Sequence, residues 1–387
     1  MSWTFEKIFN LSLSSPKEIA FDGRHVWVTG NNQVYVVKYW DYATTEEDYD
    51  KLGFANIDNL TIDRYNSKLA IVATISIPQG SHWIVRGGNS MWIASAADFT
   101  KITQVDIDSQ TVVGTYLTTP NSVVMDSNLC YENGKLWMVD TAPLTNTAPD
   151  RQNLHFYDIE SSVWSSVEIQ TRKSLQKTWI AAPHNGFVYV TNYNDVGVTK
   201  FNSITGAWVS QIRVNRLPTA LAVTEERDLF VVGAGNLLSR VDPSSDAVTN
   251  PYGLISSVNS IASSHDAAYL WWVNTNYRLV RMKKSDQSVY CTVPAIGDEV
   301  DDVRISTTGF GDTAVTDVFI TPQFTYDNWD GAGWSTVTIK PYMFMIGSGH
   351  LMAFRMDNPL YLTLNKIEVN SQGMISTGPE DYMGETG

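Results

Sequence analysis

Val26-Trp27-Val28-Thr29-Gly30, an aromatic between apolar residues closed by a small one, recurs along the chain. The further copies are Met91-Trp92-Ile93-Ala94-Ser95, Leu136-Trp137-Met138-Val139-Asp140 and Val188-Tyr189-Val190-Thr191-Asn192. They continue as Leu229-Phe230-Val231-Val232-Gly233, Leu270-Trp271-Trp272-Val273-Asn274 and Met343-Phe344-Met345-Ile346-Gly347. The central aromatics stand 65, 45, 52, 41, 41 and 73 positions apart. A period of about 40–50 residues is that of propeller blades.

Each copy sits in the same local order. A short apolar run and a turn precede it, as in Ile19-Ala20-Phe21-Asp22-Gly23. An alternating strand follows, such as Leu238-Ser239-Arg240-Val241-Asp242, then a turn such as Asn202-Ser203-Ile204-Thr205-Gly206 and a fourth strand such as 208–214. Four short strands joined by Asp, Asn and Gly turns make one antiparallel blade. No segment of comparable length carries a 3.6-residue period. The expectation is an all-β chain, a seven-bladed β-propeller of four-stranded antiparallel blades. The blades span about 14–80, 81–120, 121–172, 173–218, 219–256, 257–297 and 298–370. The recurrent aromatic is expected to fill the wedge between neighbouring blades, because a flat side chain suits sheets packed face to face.

A closed ring needs its last edge sealed. Trp3–Leu13 reads as an extra strand ahead of the first blade, expected to pair with the seventh blade near 360–369. Residues 371–387 form a polar tail. Two spacings exceed the period and mark insertions, and long loops on a compact scaffold tend to carry function. The first, about 41–66, is acidic and aromatic and includes Tyr49 and Phe54. The second, about 298–342, contains Tyr326-Asp327-Asn328-Trp329-Asp330-Gly331-Ala332-Gly333-Trp334. The acidic run there lacks the full ligand spacing of a calcium loop and reads as a hairpin or loop tip. Tyr49, Phe54, Trp329 and Trp334 are the candidate docking residues.

Composition narrows the partners. Of 387 residues 43% are hydrophobic, 12% aromatic and 18% charged, ample for a core and too apolar for disorder. The net charge of −14 repels phosphate backbones, so nucleic acid is not an expected partner. No apolar run approaches the roughly 18 residues of a membrane span. Cys130 and Cys291 lie in different repeats and read as buried small hydrophobes.

The stretch Val188-Tyr189-Val190-Thr191-Asn192, with the unit "apolar strand, Asp-Gly, Val-Trp-Val-Thr, strand, Asp-x-x-Ser/Thr", resembles the YVTN and streptogramin-lyase-like propellers over nearly the whole chain. The resemblance implies fold, because such rings include enzymes, binding modules and structural proteins. Lyases of this class carry a Glu-x-His pair with a divalent metal at the mouth of the ring. None of His25, His82, His155, His184, His265 and His350 has Glu two positions before it.

The chain also lacks Gly-x-Ser-x-Gly, His-Glu-x-x-His, a P-loop and Cys-x-x-Cys. No catalytic set, metal site or cofactor is expected. One constellation remains. The residue before each innermost strand should line one channel mouth, where propellers bind ligands or partners. By alignment these are Lys17, His82, Asn121, Thr178, Thr219 and Asn259.

The expected function is that of a non-enzymatic structural or interaction protein of a bacteriophage particle, in the tail or associated with the capsid. It would dock other protein subunits or a host-surface glycan. The composition looks extracellular, yet Met1-Ser2-Trp3-Thr4-Phe5-Glu6-Lys7 lacks a signal peptide's basic start and apolar stretch. Virion proteins, made in the host cytoplasm and released by lysis, reconcile the two; a purely cytoplasmic location is the alternative. A metal-dependent lyase or hydrolase, and a carbohydrate-binding propeller on Trp329 and Trp334, are the alternative functions.

Overall fold

The computed structural model describes residues 7–39, 69–94, 101–117, 128–139, 152–169, 180–181, 186–192, 197–214, 218–223, 229–233, 237–253, 258–263, 269–274, 278–283, 289–294, 315–329, 334–339, 342–347, 349–355, 368–369 and 375–376. Among these residues there is no helix. The strands form four-stranded antiparallel sheets in succession along the chain.

Strand β1 is Lys7–Ser12. Sheet 1 follows, with β2 (Ile19–Phe21), β3 (Val26–Thr29), β4 (Gln33–Lys38) and β5 (Ala70–Ser76) in that spatial order. Sheet 2 is β6 (Ile84–Gly87), β7 (Ser90–Ala94), β8 (Lys101–Asp106) and β9 (Thr111–Leu117). Sheet 3 is β10 (Cys130–Glu132), β11 (Lys135–Val139), β12 (Gln152–Asp158) and β13 (Val163–Ile169). Sheet 4 is β14 (Ile180–Ala181), β15 (Phe187–Asn192), β16 (Gly197–Asn202) and β17 (Trp208–Arg213). Sheet 5 is β18 (Pro218–Val223), β19 (Leu229–Gly233), β20 (Leu237–Val241) and β21 (Val248–Gly253). Sheet 6 is β22 (Val258–Ser263), β23 (Tyr269–Asn274), β24 (Arg278–Lys283) and β25 (Val289–Pro294).

The last sheet is composite. Strand β26 (Val315–Ile320) is followed by a separate hairpin, β27 (Phe324–Trp329) with β28 (Trp334–Ile339), before β29 (Tyr342–Gly347) and β30 (His350–Arg355) return beside β26. The fourth place in sheet 7 is taken by β1, antiparallel to β30, with Leu11 opposite Leu351 and Ser12 opposite His350. The N-terminal strand thus pairs with the last sheet, but along His350–Arg355 and not near 360–369. Sheet 7 takes only β26, β29 and β30 from the described C-terminal part of the chain, so β1 fills the fourth place directly beside β30 and the edge falls earlier in the chain. Glu368–Val369 (β31) pairs instead with Ile375–Ser376 (β32); residues 360–367 lie outside the described residues.

The repeated motif occupies the second strand of every sheet, and strand alternation explains its composition. Successive side chains point to opposite faces. Val26 and Val28 therefore pack toward sheet 7 with Phe344 and Ile346, while Trp27 packs toward sheet 2 with Met91 and Ile93. Trp92 in turn joins Leu136 and Met138, and Trp137 joins Val188 and Val190. Tyr189 joins Leu229 and Val231. In these clusters the aromatic reaches the following sheet, and its neighbours reach the preceding one. Trp27, Trp137, Tyr189 and Phe344 are 0% exposed, so each contributes the roughly 1.5–3 kcal/mol of a fully buried large side chain.

A buried indole needs a partner for its N–H. Trp92 Nε1 donates to the carbonyl of Gly87, and Trp137 Nε1 to that of Glu132, each five residues back and 3.3 Å away. Trp27 uses the side chain at the same offset, donating to Asp22 Oδ2 at 2.7 Å. Asp22 also accepts the backbone N–H groups of Arg24 and His25 at 2.6 and 2.5 Å, which fixes the turn before β3. Burial works against ionisation of Asp22, but its bonds to His25, Trp27 and Arg24 prevail and hold the carboxyl below its ordinary range.

The turn between third and fourth strands follows one rule. An Asp or Asn side chain accepts from a Ser or Thr three residues on, and the next residue takes positive φ. Asp158 with Ser161 and Ser162 (φ 57°), and Asn202 with Thr205 and Gly206 (φ 74°), are two cases. Asp106 with Ser109 and Gln110 (φ 55°) is a third. In sheet 5 Asp242 accepts from Ser244 and Ser245 before Asp246 (φ 57°). Such side chains mimic a backbone turn and tolerate the left-handed region locally.

Candidate functional site

The candidate residues stand at the start of the first strand of their sheets. In sheet 1 the N–H of Lys17 donates to the carbonyl of Thr29 (2.8 Å), while the N–H of Thr29 donates to the carbonyl of Glu18 (3.0 Å). Two residues thus face one. Sheet 2 repeats this with His82 and Trp83 facing Ala94, both bonds 2.9 Å. In sheet 5 the ladder passes from Pro218–Gly233 to Ala220–Val232 and leaves Thr219 over. Sheet 6 leaves Asn259 over between Val258 and Ser260, and sheet 7 leaves Thr316 over between Val315 and Asp317. An extra residue of this kind is a β-bulge, which bends the strand and re-aims side chains.

Lys17, His82, Thr219 and Asn259 therefore share one structural position. Thr316 stands at the same position and was missed, because the second insertion hides where β26 begins. Asn121 and Thr178 lie outside the described residues. In sheet 3 the described chain begins at Asn128, directly before Leu129 and β10. Of these residues, Lys17 and His82 are brought close enough for charge to be felt. Burial, then the charge of Lys17, lowers the His82 imidazole to about 4, and its ring lies edge-on to Trp83 at 4.4 Å.

The following residue does the joining between sheets. Asp317 Oδ2 accepts the N–H of Ile19 at 3.0 Å, from sheet 7 to sheet 1. Glu18 Oε2 accepts the N–H of Ile84 at 2.6 Å, from sheet 1 to sheet 2. Asn128 makes the joint in both directions with Ile180, accepting its N–H at 2.9 Å and donating to its carbonyl at 3.0 Å. Thr29 Oγ1 adds a bond to the carbonyl of His82 at 2.7 Å. Burial, followed by the charge of Asp317, pushes the Glu18 carboxyl well above the usual carboxylate range, against the N–H of Ile84.

This chemistry is that of a joint. The Glu18 and Asp317 carboxylates each take a backbone N–H from the next sheet, and His82 is held neutral against an indole. Among the described residues no group of three or more His, Cys, Asp or Glu is placed to hold a metal ion. Cys130 is buried and free, and burial pushes its thiol up, away from the reactive thiolate. Sequence reading missed Glu18, Asn128 and Asp317. Their shared offset from the motif is visible once the register is known.

A second candidate lies on hairpin β27–β28. Its base is anchored in the core: Phe324 packs against Phe21 at 5.8 Å and Tyr39 at 6.5 Å, and Ile339 is buried. Trp329 and Trp334 form the last pair of its ladder, at the end away from Phe324 and Ile339, and Trp334 is 73% exposed. Asp327 and Asn328 stand within β27, opposite Thr336 and Ser335. Tyr49 and Phe54 lie outside the described residues.

No helix among the described residues is long and apolar enough to cross a membrane. No protein-family model matches this chain, and no curated protein matches it in sequence.

Proposed function

We propose that the chain is a closed seven-bladed β-propeller acting as a non-enzymatic docking component of a bacteriophage virion. Among the described residues seven four-stranded sheets form, in keeping with one sheet per motif copy. Closure is supported by Phe344, the aromatic of the last copy, which reaches Tyr39, just beyond β4 of sheet 1, at 5.0 Å. It is supported again by Asp317, which makes to Ile19 the bond that Glu18 makes to Ile84. On this reading the likeness to YVTN and streptogramin-lyase-like rings is one of fold.

The observation that carries docking is Trp334, 73% exposed at the end of a hairpin whose base is fixed in the core. Exposed Trp on a rigid mount is typical of interface hot spots, where truncation costs 2 kcal/mol or more, on the order of thirty-fold in affinity. The partner is another protein subunit of the particle. The virion setting rests on the aromatic, weakly charged composition.

Quantitative mass spectrometry of purified particles tests the setting, with stoichiometric presence expected and confinement to host cytosol against it. Trp334→Ala tests the docking: incorporation should fall while the melting temperature of the free protein is unchanged. Unaltered incorporation would remove the hairpin from the interface. If particles carry the chain but a glycan array detects Trp334-dependent binding, the sugar-binding alternative takes the same residue.

A further inference from the structure

The outermost strands of the sheets differ in one respect that bears on assembly. A sheet edge presents unpaired N–H and C=O groups, a template on which another strand can pair, and proteins blunt such edges with bulges. In sheets 1, 2, 4 and 6 a single extra residue interrupts the outer ladder at the same place: Val72, Val113, Val209 and Tyr290. Sheet 5 slips between Leu238 and Arg240, where Asn250 and Pro251 stand in β21. In sheet 7 the slip falls at Ile8 of β1.

Strand β13 is the exception. All seven of its residues pair in unbroken register with β12, from Val163 opposite Asp158 to Ile169 opposite Gln152. It contains no Pro and no Lys, and Val163, Ser165, Ser166 and Glu168 are exposed. Val163 is 54% exposed and Ile169 is buried. A straight edge left without a bulge, while every other outer strand has one, is suited to strand addition.

We propose that β13 pairs with β13 of a second copy of this chain, antiparallel about a two-fold axis at Ser166. The sequence Val163-Trp164-Ser165-Ser166-Val167-Glu168-Ile169 suits self-pairing. Reversal about Ser166 sets Val163 opposite Ile169, Trp164 opposite Glu168 and Ser165 opposite Val167. No like charges meet, and the only charged residue faces an indole. Strand pairs of this kind gain from apolar partners and lose from like charges directly opposite. The result is an isologous contact, closed by symmetry, that joins two four-stranded sheets into one of eight.

The test is the mass of the full chain in solution by sedimentation equilibrium. The wild type is expected at twice its 43.2 kDa. Ser166→Lys and Ser166→Glu each place like charges on the axis and should each sediment as monomers, while their equimolar mixture recovers the dimer. Ser166→Thr, uncharged and strand-favouring, keeps the dimer, as does Val72→Lys on a bulged edge. A monomeric wild type overturns the proposal, and so does a dimer that Ser166→Lys leaves intact. A mixture that stays monomeric while both variants retain the wild-type circular dichroism overturns it as well. Pairing with a segment of another protein would give the monomeric wild type.

Discussion

Replacing Phe344 by alanine strikes the seam between the last sheet and the first. Its ring is 0% exposed and lies 5.0 Å from Tyr39, whose own ring is 1% exposed. The same cluster includes Leu13, Ile19, Val26 and Val28 of the N-terminal region and Ile346, Leu351 and Ala353 of sheet 7. Removing a buried Phe costs about 3–5 kcal/mol, the spread reflecting how far the cavity collapses. Most of the surrounding groups stand on two sheets, each held in its own ladder, so little collapse is available and the upper half of that range is expected. Of it, about 0.5–1.5 kcal/mol belongs to the edge-on contact with Tyr39. A double-mutant cycle of Phe344→Leu with Tyr39→Leu should return that coupling. Urea unfolding followed by tryptophan fluorescence measures both, with the midpoint falling and the slope unchanged. A loss below about 1 kcal/mol, of the size of a surface substitution, would refute the packing of sheet 7 on sheet 1.

Three further outcomes follow from the joints and turns. Glu18→Ala deprives the Ile84 N–H of its acceptor and should cost about 1–3 kcal/mol, whereas Glu18→Gln keeps an acceptor. Because the folded carboxyl of Glu18 titrates above its unfolded value, the wild type loses stability as pH rises between the two. The Gln variant should lack that fall in thermal melts from pH 4 to 8. Asp242, held down to about 2, first by its bond from Ser244 and then by that from Ser245, has the opposite sign. Its stabilising effect is full above about pH 4 and is lost as pH falls toward 2, so acid titration of Asp242→Asn should show a shallower loss. Deleting residues 7–12 strips β30 of its partner and should lower the melting temperature by several degrees; an unchanged melt would show that β1 does not seal sheet 7.

Much of this was legible in the sequence because it is local. Trp27, Trp92, Trp137, Tyr189, Phe230 and Phe344 sit on second strands, as the motif requires, and every one of these rings is buried. The Asp-x-x-Ser/Thr turns could be read for the same reason, since donor and acceptor lie within three residues. The partner of β1 could not. It depends on how many strands the last sheet supplies for itself, and among the described residues β26, β29 and β30 supply three, leaving the fourth place to β1. The joints made by Glu18, Asn128 and Asp317 were hidden differently: a carboxylate that binds the next sheet's backbone carries no periodic signal. Lys17 and His82 were found by alignment, but only the backbone register shows that bulges set them apart from their ladders.

The pairing of Leu11 with Leu351 spans 340 positions, which gives synthesis itself a part in folding. At about 10 residues per second, β1 waits roughly half a minute on the ribosome before β30 exists. During that interval each sheet can form behind the last, since its strands are sequential, but the seam must stay open. Pairing of β1 with β30 is therefore the last of these steps, and the long stretch of chain between them makes it the slow one. A ribosome that stops short of His350 leaves two uncapped ends, those of β1 and of the most recent sheet. Such a fragment advertises its own incompleteness to chaperones and proteases.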